Sequence, residues 1–299
     1  MNIIEASVTN SNGIESYHMP LTISCKPTIT KPERLHFIGI GIDRFRDSRH
    51  NLNYSVKDVR DLALKLKEKY GTAITIDTLF NENVTTTNIT QLKQKLLQTA
   101  VDDKVMVSYS GHGLLSKQYD YYLSTYKVDF NNPEKGGLPY DALEALMDSI
   151  PARKKLMLID ACHSGELDKE ELQKIAQVNA SSTATTTTGA RGGTPLLLNK
   201  KKVGMKSSFE LMQQLFVNVG RSTGTTIISA AGGTQFALER GDLKNGVFTY
   251  SILEYLNTHT SATVSELKQY VNQRVPELTK GAQVPTTRTE TRQVEWRVW

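Results

Sequence analysis

The sequence lacks several features that would define other classes of protein. Its 299 residues include only two cysteines, Cys25 and Cys162, which excludes a framework of disulfide bonds. No segment approaches the roughly 18 consecutive apolar residues that a membrane-spanning helix requires. The start, MNIIEASVTNSNGIE, has neither the basic nor the apolar segment of a signal peptide. These absences predict a cytoplasmic protein with no membrane partner.

A concentrated basic surface is also missing. The formal net charge is +5, but lysines and arginines are scattered, without a long stripe or interleaved aromatic residues. We therefore interpret the excess as a solvated surface and expect no nucleic-acid partner. His112, Cys162 and His163 also lack the paired close spacing of zinc ligands, so no metal site is predicted from them.

Short apolar runs alternate with segments of helical periodicity along most of the chain. Gly71 follows the first helical segment, as expected at a helix end. This alternation predicts an α/β fold with a mainly parallel central sheet and helices on both faces. The predicted strands are LHFIGIGID, TAITIDTLF, KVMVSYSG, RKKLMLIDAC and GTTIISAAGG. The predicted helices are SVKDVRDLALKLKEKYG, VTTTNITQLKQKLLQTA, LPYDALEALMDSI, NGVFTYSILEYLNTH and TVSELKQYVNQRVPEL.

Composition divides the chain into four segments. Residues 1–33 are rich in Thr, Ser, Asn and Pro without helical periodicity, which predicts extended segments and turns. Residues 179–204 are rich in Thr, Ser and Gly, and so long a loop inside a compact domain is usually functional or disordered. We therefore predict a first half over 34–178, a linker over 179–204, and a second half with a C-terminal tail over 205–299.

Two predicted strands end in residues of unusual chemistry. One is followed by Gly111, His112 and Gly113, and the other by Cys162. Sites in open α/β sheets form outside the carboxyl ends of the strands, and right-handed crossovers allow these two strands to be neighbours. An imidazole can then activate the thiol, while the glycines let a substrate approach and leave an N–H to face an oxyanion. The alternative is a buried, inert cysteine and a structural loop histidine.

Together the two motifs resemble those of the caspase-type cysteine peptidases. YSGHG and DACHSG, in which Cys162 follows His112 by 50 positions, are most similar to the motifs of metacaspases, paracaspases and their bacterial relatives. The Q-A-C-x-G signature of true caspases is absent. FIGIGIDRFRDSRHNLNYSVKDVRDLALKL and IISAAGGTQFALERGDLKNGVFTYSILEYL also resemble the family's first strand and helix and its small-subunit half. The resemblance implies a caspase-like fold, with 34–178 as the large-subunit-like catalytic half.

The resemblance implies a Cys-His dyad. Cys162 would be the nucleophile and His112 the general acid and base, with the backbone N–H groups of Gly113 and Cys162 as the oxyanion hole. It implies no third member of the dyad, and we interpret His163 as structural.

The resemblance also implies the residue after which the substrate is cut. Caspases that cut after Asp carry an Arg in the loop before the first helix, but Tyr54 lies near that place here. Metacaspase-like members use acids, matched by Asp160 and Asp58, with Ser110 as a further pocket residue. Two carboxylates would select Arg or Lys at P1, because a guanidinium binds carboxylates in bidentate fashion.

Each acid also has a structural interpretation that the residues leave open. The alternative for Asp160 is a carboxylate that binds loop N–H groups, and the alternative for Asp58 is an ordinary acid in the first turn of a helix. The family's Asn-Asp pair is Lys57-Asp58 here, which is a departure from the pattern.

The resemblance extends to activation and cofactors. In this family the linker is often cut, and Arg191 in TTGARGGTP is the candidate site of self-processing, although a plain loop is an equal alternative. Many metacaspases need calcium, and Asp129, Asp141 and Asp168 lie in roughly corresponding places. Calcium takes six to eight oxygen ligands, and the sequence does not identify that set. We expect no required cofactor, with Ca²⁺ as a candidate.

We therefore expect a cysteine endopeptidase acting on proteins or peptides after Arg or Lys. The alternative is a caspase-like signalling or scaffold module whose activity is gated by a partner or an upstream signal. The first 33 residues and the tail after Val284 lie outside the predicted core, which makes them candidate docking surfaces in a larger regulatory assembly. Metacaspases tend to stay monomeric because extra strands cover the sheet edge, so we expect a monomer.

Overall fold

The computed structural model describes residues 2–17, 19–23, 32–118, 120–161, 188–190, 224–231, 237–289 and 295–299. The chain divides into two compact units, Met1–Pro32 and Glu33–Trp299. In the first unit, strands β1 (Asn2–Ala6) and β2 (Met19–Ile23) form an antiparallel hairpin.

The second unit is built around a six-stranded sheet. Its strands are β3 (Leu35–Gly41), β4 (Ile74–Phe80), β5 (Lys104–Ser110), β9 (Lys154–Asp160), β11 (Thr225–Ser229) and β14 (Thr286–Thr289). Their order across the sheet is β14-β11-β9-β5-β3-β4. All neighbouring pairs are parallel except β11 and β14. The predicted α/β class with a mainly parallel sheet is confirmed.

Helices cover both faces of this sheet, as predicted. They are α1 (Ser55–Tyr70), α2 (Thr86–Leu96), α3 (Tyr140–Glu144), α4 (Val247–Thr258) and α5 (Val264–Thr279). Helices α1, α4 and α5 pack in one buried apolar cluster, and α2 and α3 pack in the other. Strand side chains alternate between the clusters, with Phe37 in the first and Ile38 in the second. No helix within the described ranges is long and apolar enough to span a membrane.

Helix α1 approaches the sheet closely because β3 carries two glycines where the helix crosses it. A Cβ on Gly39 would lie 2.4 Å from Val59 Cγ1, and one on Gly41 would lie 2.9 Å from the Ser55 carbonyl oxygen. The helix therefore presents Asp58, in its first turn, beside the carboxyl end of β3.

Several short strands were not predicted from the sequence. One small sheet contains β6 (Gly113–Leu115), β7 (Tyr121–Leu123) and β8 (Leu138–Pro139), and another contains β10 (Thr188–Ala190), β12 (Leu238–Arg240) and β13 (Asn245–Gly246). Two or three residues are too few to show a period, so pairing partners define these strands. Strand β10 lies within the predicted linker and pairs with β12.

The expectation that the tail after Val284 lies outside the core was wrong. Strand β14 completes one edge of the sheet, and Trp296, Val298 and Trp299 are buried in the cluster with α4 and α5. Exposed Glu295 and Arg297 alternate with the buried side chains, which is the pattern of a half-buried extended segment. The tail is therefore part of the core of the second unit.

Candidate active site

The carboxyl ends of β5 and β9 lie side by side. Ser110 pairs with Asp160 in the parallel register, and the Gly111 N–H donates to the Asp160 carbonyl oxygen at 3.2 Å. His112 comes two residues after Ser110, and in the sequence Cys162 comes two residues after Asp160. Cys162 lies outside the described residues, as do His163, Asp168 and Arg191.

A buried hydrogen-bond network of Ser124 and Tyr109 fixes the main chain of His112. The His112 N–H donates to Ser124 Oγ at 3.1 Å, and the Ser124 N–H donates to the His112 carbonyl oxygen at 2.9 Å. The Tyr109 hydroxyl lies 2.9 Å from Ser124 Oγ and 3.2 Å from the His112 carbonyl oxygen. A Cβ on Gly111 would lie 2.7 Å from that hydroxyl and 2.6 Å from Ile42 Cγ2. The packing therefore requires glycine at position 111.

The His112 ring is oriented by a main-chain group. Its Nε2 lies 2.8 Å from the carbonyl oxygen of His50. A carbonyl oxygen only accepts hydrogen bonds, so Nε2 carries the proton and the neutral ring has its lone pair on Nδ1. This orienting group was missed by sequence reasoning, which named no third member beside Cys162 and His112.

Three aromatic side chains surround His112. Phe45 and Phe130 have ring centroids 5.2 and 5.3 Å from that of His112. The His50 ring stacks on Phe130, with centroids 3.7 Å apart and an interplanar angle of 8°. Burial lowers the pKa of His50, against the opposing effect of the Asp47 carboxylate, whose Oδ2 is 3.7 Å from His50 Nε2. The His50 ring is thus favoured in its neutral form.

Side-chain amides fix the loop between β3 and α1 that carries His50. Asn81 Oδ1 accepts from the N–H groups of Asp43 and Arg44, both at 3.0 Å. Asn51 Oδ1 accepts from the Phe45 N–H at 2.9 Å, and Asp47 caps the 3-10 turn Ser48–His50 through the Arg49 N–H. These local caps explain the Asn- and Asp-rich sequence of the loop.

The two acids of the predicted pocket converge on the N-terminus of α4. Asp58 Oδ1 accepts from Asn245 Nδ2 at 2.8 Å and from the Gly246 N–H at 3.0 Å. Asp160 Oδ2 accepts from Thr249 Oγ1 at 2.6 Å and from the Thr249 N–H at 3.3 Å. Gly246, at the N-cap of α4, has no side chain to cap the helix, and the helix dipole stabilises negative charge there.

Both acids are buried, and Ser110 is beside one of them. Asp58 is 1% exposed and Asp160 2%, and Ser110 Oγ donates to Asp58 Oδ2 at 3.4 Å. Asp160 does bind an N–H group, but that group belongs to the second half of the chain. Asp58 lies in a first helical turn but is buried, unlike most acids in that position. Asp58 Oδ2 also accepts from the Gly246 N–H at 3.3 Å.

A third buried carboxylate, Glu239, binds the loop immediately before α1. Its Oε1 accepts from the Tyr54 N–H and its Oε2 from the Asn53 N–H, both at 3.0 Å. The side chain of Tyr54 does not cap α1, so Glu239 supplies the acceptors from β12. This role was also missed, because 185 residues separate the partners.

The main chain of Gly113 begins strand β6. Its partner across the strand pair is Leu123. Because the Ser124 N–H donates to the His112 carbonyl oxygen, His112 and Ser124 occupy a hydrogen-bonded position, and the next pair, Gly113–Leu123, is of the non-hydrogen-bonded kind. The Gly113 N–H therefore points away from β7.

Asp129 and Asp141, two of the acids that the resemblance suggests as calcium ligands, lie in described parts of the chain. Asp129 Oδ1 accepts from the Asn131 N–H at 3.0 Å, and Asp141 lies in the first turn of α3. The described part of the chain contains no group of three or more His, Cys, Asp or Glu side chains arranged to hold a metal ion. Calcium dependence stays a prediction.

The site lies at the carboxyl ends of two neighbouring parallel strands. A histidine flanked by glycines follows β5, and the chain leaves β9 beside it. This arrangement is the architecture of the caspase-like α/β proteins. The profile of the caspase domain, peptidase family C14, matches residues 38–295, and the chain belongs to this family. Family membership supports a cysteine peptidase.

One solved structure shows the same fold. The chain is similar to protein GSU0716 from Geobacter sulfurreducens, with a TM-score of 0.60 and 19% sequence identity. The alignment covers 87% of this chain and 95% of that one. No curated protein matches the chain.

Proposed function

We propose that the protein is a cysteine endopeptidase with Cys162 as nucleophile and His112 as general acid and base. The observation that carries the proposal is the hydrogen bond from His112 Nε2 to the His50 carbonyl oxygen, at 2.8 Å. This bond assigns the lone pair to Nδ1 of His112. Ser110 and Asp160 are paired in neighbouring strands. His112 follows Ser110 by two residues, and Cys162 follows Asp160 by two residues.

In the proposed reaction, Nδ1 of His112 accepts the Cys162 proton and the thiolate attacks the substrate carbonyl carbon. The N–H groups of Gly113 and Cys162 stabilise the tetrahedral oxyanion, and the Gly113 N–H points away from β7, as this role requires. The imidazolium then protonates the leaving amine as the C–N bond breaks. Water, deprotonated by His112, hydrolyses the thioester and restores the thiol.

Asp58, Asp160 and Ser110 form the proposed P1 pocket for Arg or Lys. The convergence of two carboxylates at the N-terminus of α4 supports this assignment, because it concentrates negative charge beside the carboxyl ends of β5 and β9. Asn245 and Thr249 orient the two carboxylates through the contacts described above. A bidentate guanidinium fits this pair better than a neutral or acidic side chain.

The decisive experiment compares fluorogenic peptides with Arg, Lys and Asp at P1, with and without calcium, using the full chain. We expect cleavage after Arg and Lys, with loss of about 10²- to 10⁴-fold in His112→Ala and no turnover in Cys162→Ala. Asp160→Asn should raise KM for both basic peptides. A preference for Asp would contradict the pocket. Cleavage of no peptide under either condition would contradict the peptidase and favour a gated signalling module.

The same pocket makes the linker a candidate substrate, and we propose Arg191 as the site of self-processing. Arg191→Ala should abolish the fragment pair that the active protein produces, and Cys162→Ala should abolish it in the same way. An unchanged fragment pattern in Arg191→Ala would exclude this residue as the site.

A further inference from the structure

The orientation of His112 depends on the position of the residue 50 main chain. His50 is the last residue of a three-residue 3-10 turn, Ser48–His50. So short a turn has few hydrogen bonds to define its geometry. The Asn51 and Asp47 side chains bond the Phe45 and Arg49 N–H groups, so side-chain packing also contributes to the direction of the residue 50 carbonyl.

Phe130 is the side chain best placed to supply those contacts. It packs face to face on the His50 ring, and its ring stands edge-on to His112 at 87° and to Phe45 at 82°. Phe130 is itself buried, with 9% of its surface exposed. One ring thus touches both the catalytic-site histidine and the residue whose carbonyl orients it.

The turn that carries Phe130 has hydrogen bonds of its own, and the Arg46 N–H of the His50 loop also donates to the Tyr126 carbonyl oxygen at 3.0 Å. The Asp129 N–H donates to the Lys135 carbonyl oxygen and the Gly137 N–H to that of Pro133, both at 3.0 Å. Thr125 Oγ1 also donates to the Gly136 carbonyl oxygen. These hydrogen bonds define the position of the turn, and so of the Phe130 ring that packs on His50.

We propose that Phe130 is a positioning residue. By stacking on His50 it fixes the carbonyl oxygen that accepts the hydrogen bond from His112 Nε2, and so it sets the direction of Nδ1. This inference rests on the proposed function, because it concerns the proton chemistry of His112. Proton transfer requires donor and acceptor within about 2.6–3.2 Å, so a rotated ring slows chemistry without weakening substrate binding.

The test compares Phe130→Leu with Phe130→Tyr, which keeps the ring. Tyr255→Leu is the matched control, since Tyr255 is equally buried and packs on a different histidine, His259, at 3.9 Å. The first readout is kcat and KM for a peptide that the wild-type protein cleaves. The second is the pH dependence of Cys162 alkylation by iodoacetamide, followed by mass spectrometry of the peptide that contains it.

Phe130→Leu should lower kcat about tenfold or more with KM nearly unchanged, since small misplacements of catalytic groups are costly. Its Cys162 alkylation midpoint should move towards that of a free thiol, about pH 8.5. Phe130→Tyr and Tyr255→Leu should both resemble the wild-type protein. Should Phe130→Leu not fold, His50→Leu and His50→Phe test the same stack from its other side, and only His50→Leu should lose kcat.

Wild-type kcat and alkylation in a folded Phe130→Leu variant, or in His50→Leu, would overturn the inference. An equal loss of kcat in Tyr255→Leu would also overturn it, because the effect would then be a general one. A different result would overturn the proposed function instead: a wild-type protein that cleaves no peptide and whose Cys162 alkylates like a free thiol.

Discussion

Ser124 shows how a single buried hydroxyl shapes the proposed catalytic loop. Its Oγ accepts the His112 N–H and bonds to the Tyr109 hydroxyl, and Ser124 and Tyr109 are both fully buried. Buried polar networks hold a unique geometry when every member has a partner. The position of His112 therefore depends on a residue that does not touch the substrate in the proposed mechanism.

Ser124→Ala should lower the free energy of unfolding by about 1–3 kcal/mol, because it removes a buried acceptor and leaves its donors in the interior. Urea denaturation monitored by circular dichroism measures this loss. Thr258→Ala is the control, since Thr258 is an exposed hydroxyl on α4, and it should cost less than about 0.5 kcal/mol. Equal losses in the two variants would contradict a special role for Ser124.

At the scale of residues, the sequence predicted groups that belong to short motifs. Gly111, His112 and Asp160 are beside one another in the chain or at matching strand ends, so spacing revealed them. Thr249 was not predicted, because its contact with Asp160 spans 89 residues and a threonine in a first helical turn has no distinctive signal. Long-range partners of a recognised acid are visible only once the strands are paired.

Helix α1 is an element whose N-terminus is completed by another part of the chain. Glu239 in β12 accepts two N–H groups that precede the helix, and Asp43 Oδ2 accepts from the Val56 N–H at 3.3 Å. Helix α5, by contrast, carries its own capping box of Thr263 and Glu266. The two helices thus offer a comparison between a buried distant cap and an exposed local one.

Glu239→Ala should lower the free energy of unfolding by about 1–3 kcal/mol, since it removes a buried carboxylate that accepts from two partly buried N–H groups. Glu266→Ala removes an exposed carboxylate of the local cap and should cost less. Thermal unfolding of both variants tests the difference. A larger loss in Glu266→Ala would show that the buried cap is not the stronger one.

At the scale of elements, helical periodicity predicted α1, α2, α4 and α5 closely. The helix predicted over LPYDALEALMDSI is shorter, because α3 ends at Glu144 and hydrogen bonds of the i to i+3 type follow, such as Met147 N–H to the Glu144 carbonyl oxygen at 2.9 Å. Strands β6, β7 and β8 were not predicted. Each is too short to show an alternating pattern, and each forms by pairing with its neighbour.

The six-stranded sheet of the second unit is assembled from two separated stretches of sequence. Strand β11 pairs with β9 over five residues, and Arg288 of β14 forms a 2.9 Å ion pair with Glu144 of α3. Asp58 and Asp160 bind the start of α4 across the same boundary. These contacts do not require a continuous chain between residues 161 and 224.

A protein cut within 179–204 should therefore keep both pieces together. A recognition sequence for a site-specific protease, inserted at Arg191 in the Cys162→Ala variant, allows the cut without self-processing. We expect the two pieces to co-elute from a sizing column in native buffer and to separate only in denaturant. Separation in native buffer would contradict a sheet held by its own contacts, and the uncut protein is the control.

The group that orients His112 is a carbonyl oxygen, and every amino acid carries one. Alanine at position 50 would leave that hydrogen bond acceptor in place and would remove only the ring that stacks on Phe130. A loss of kcat in that variant would therefore report the stacking and not the loss of the acceptor atom. The contribution of the carbonyl oxygen itself is visible to mutation only through the side chains that fix the backbone.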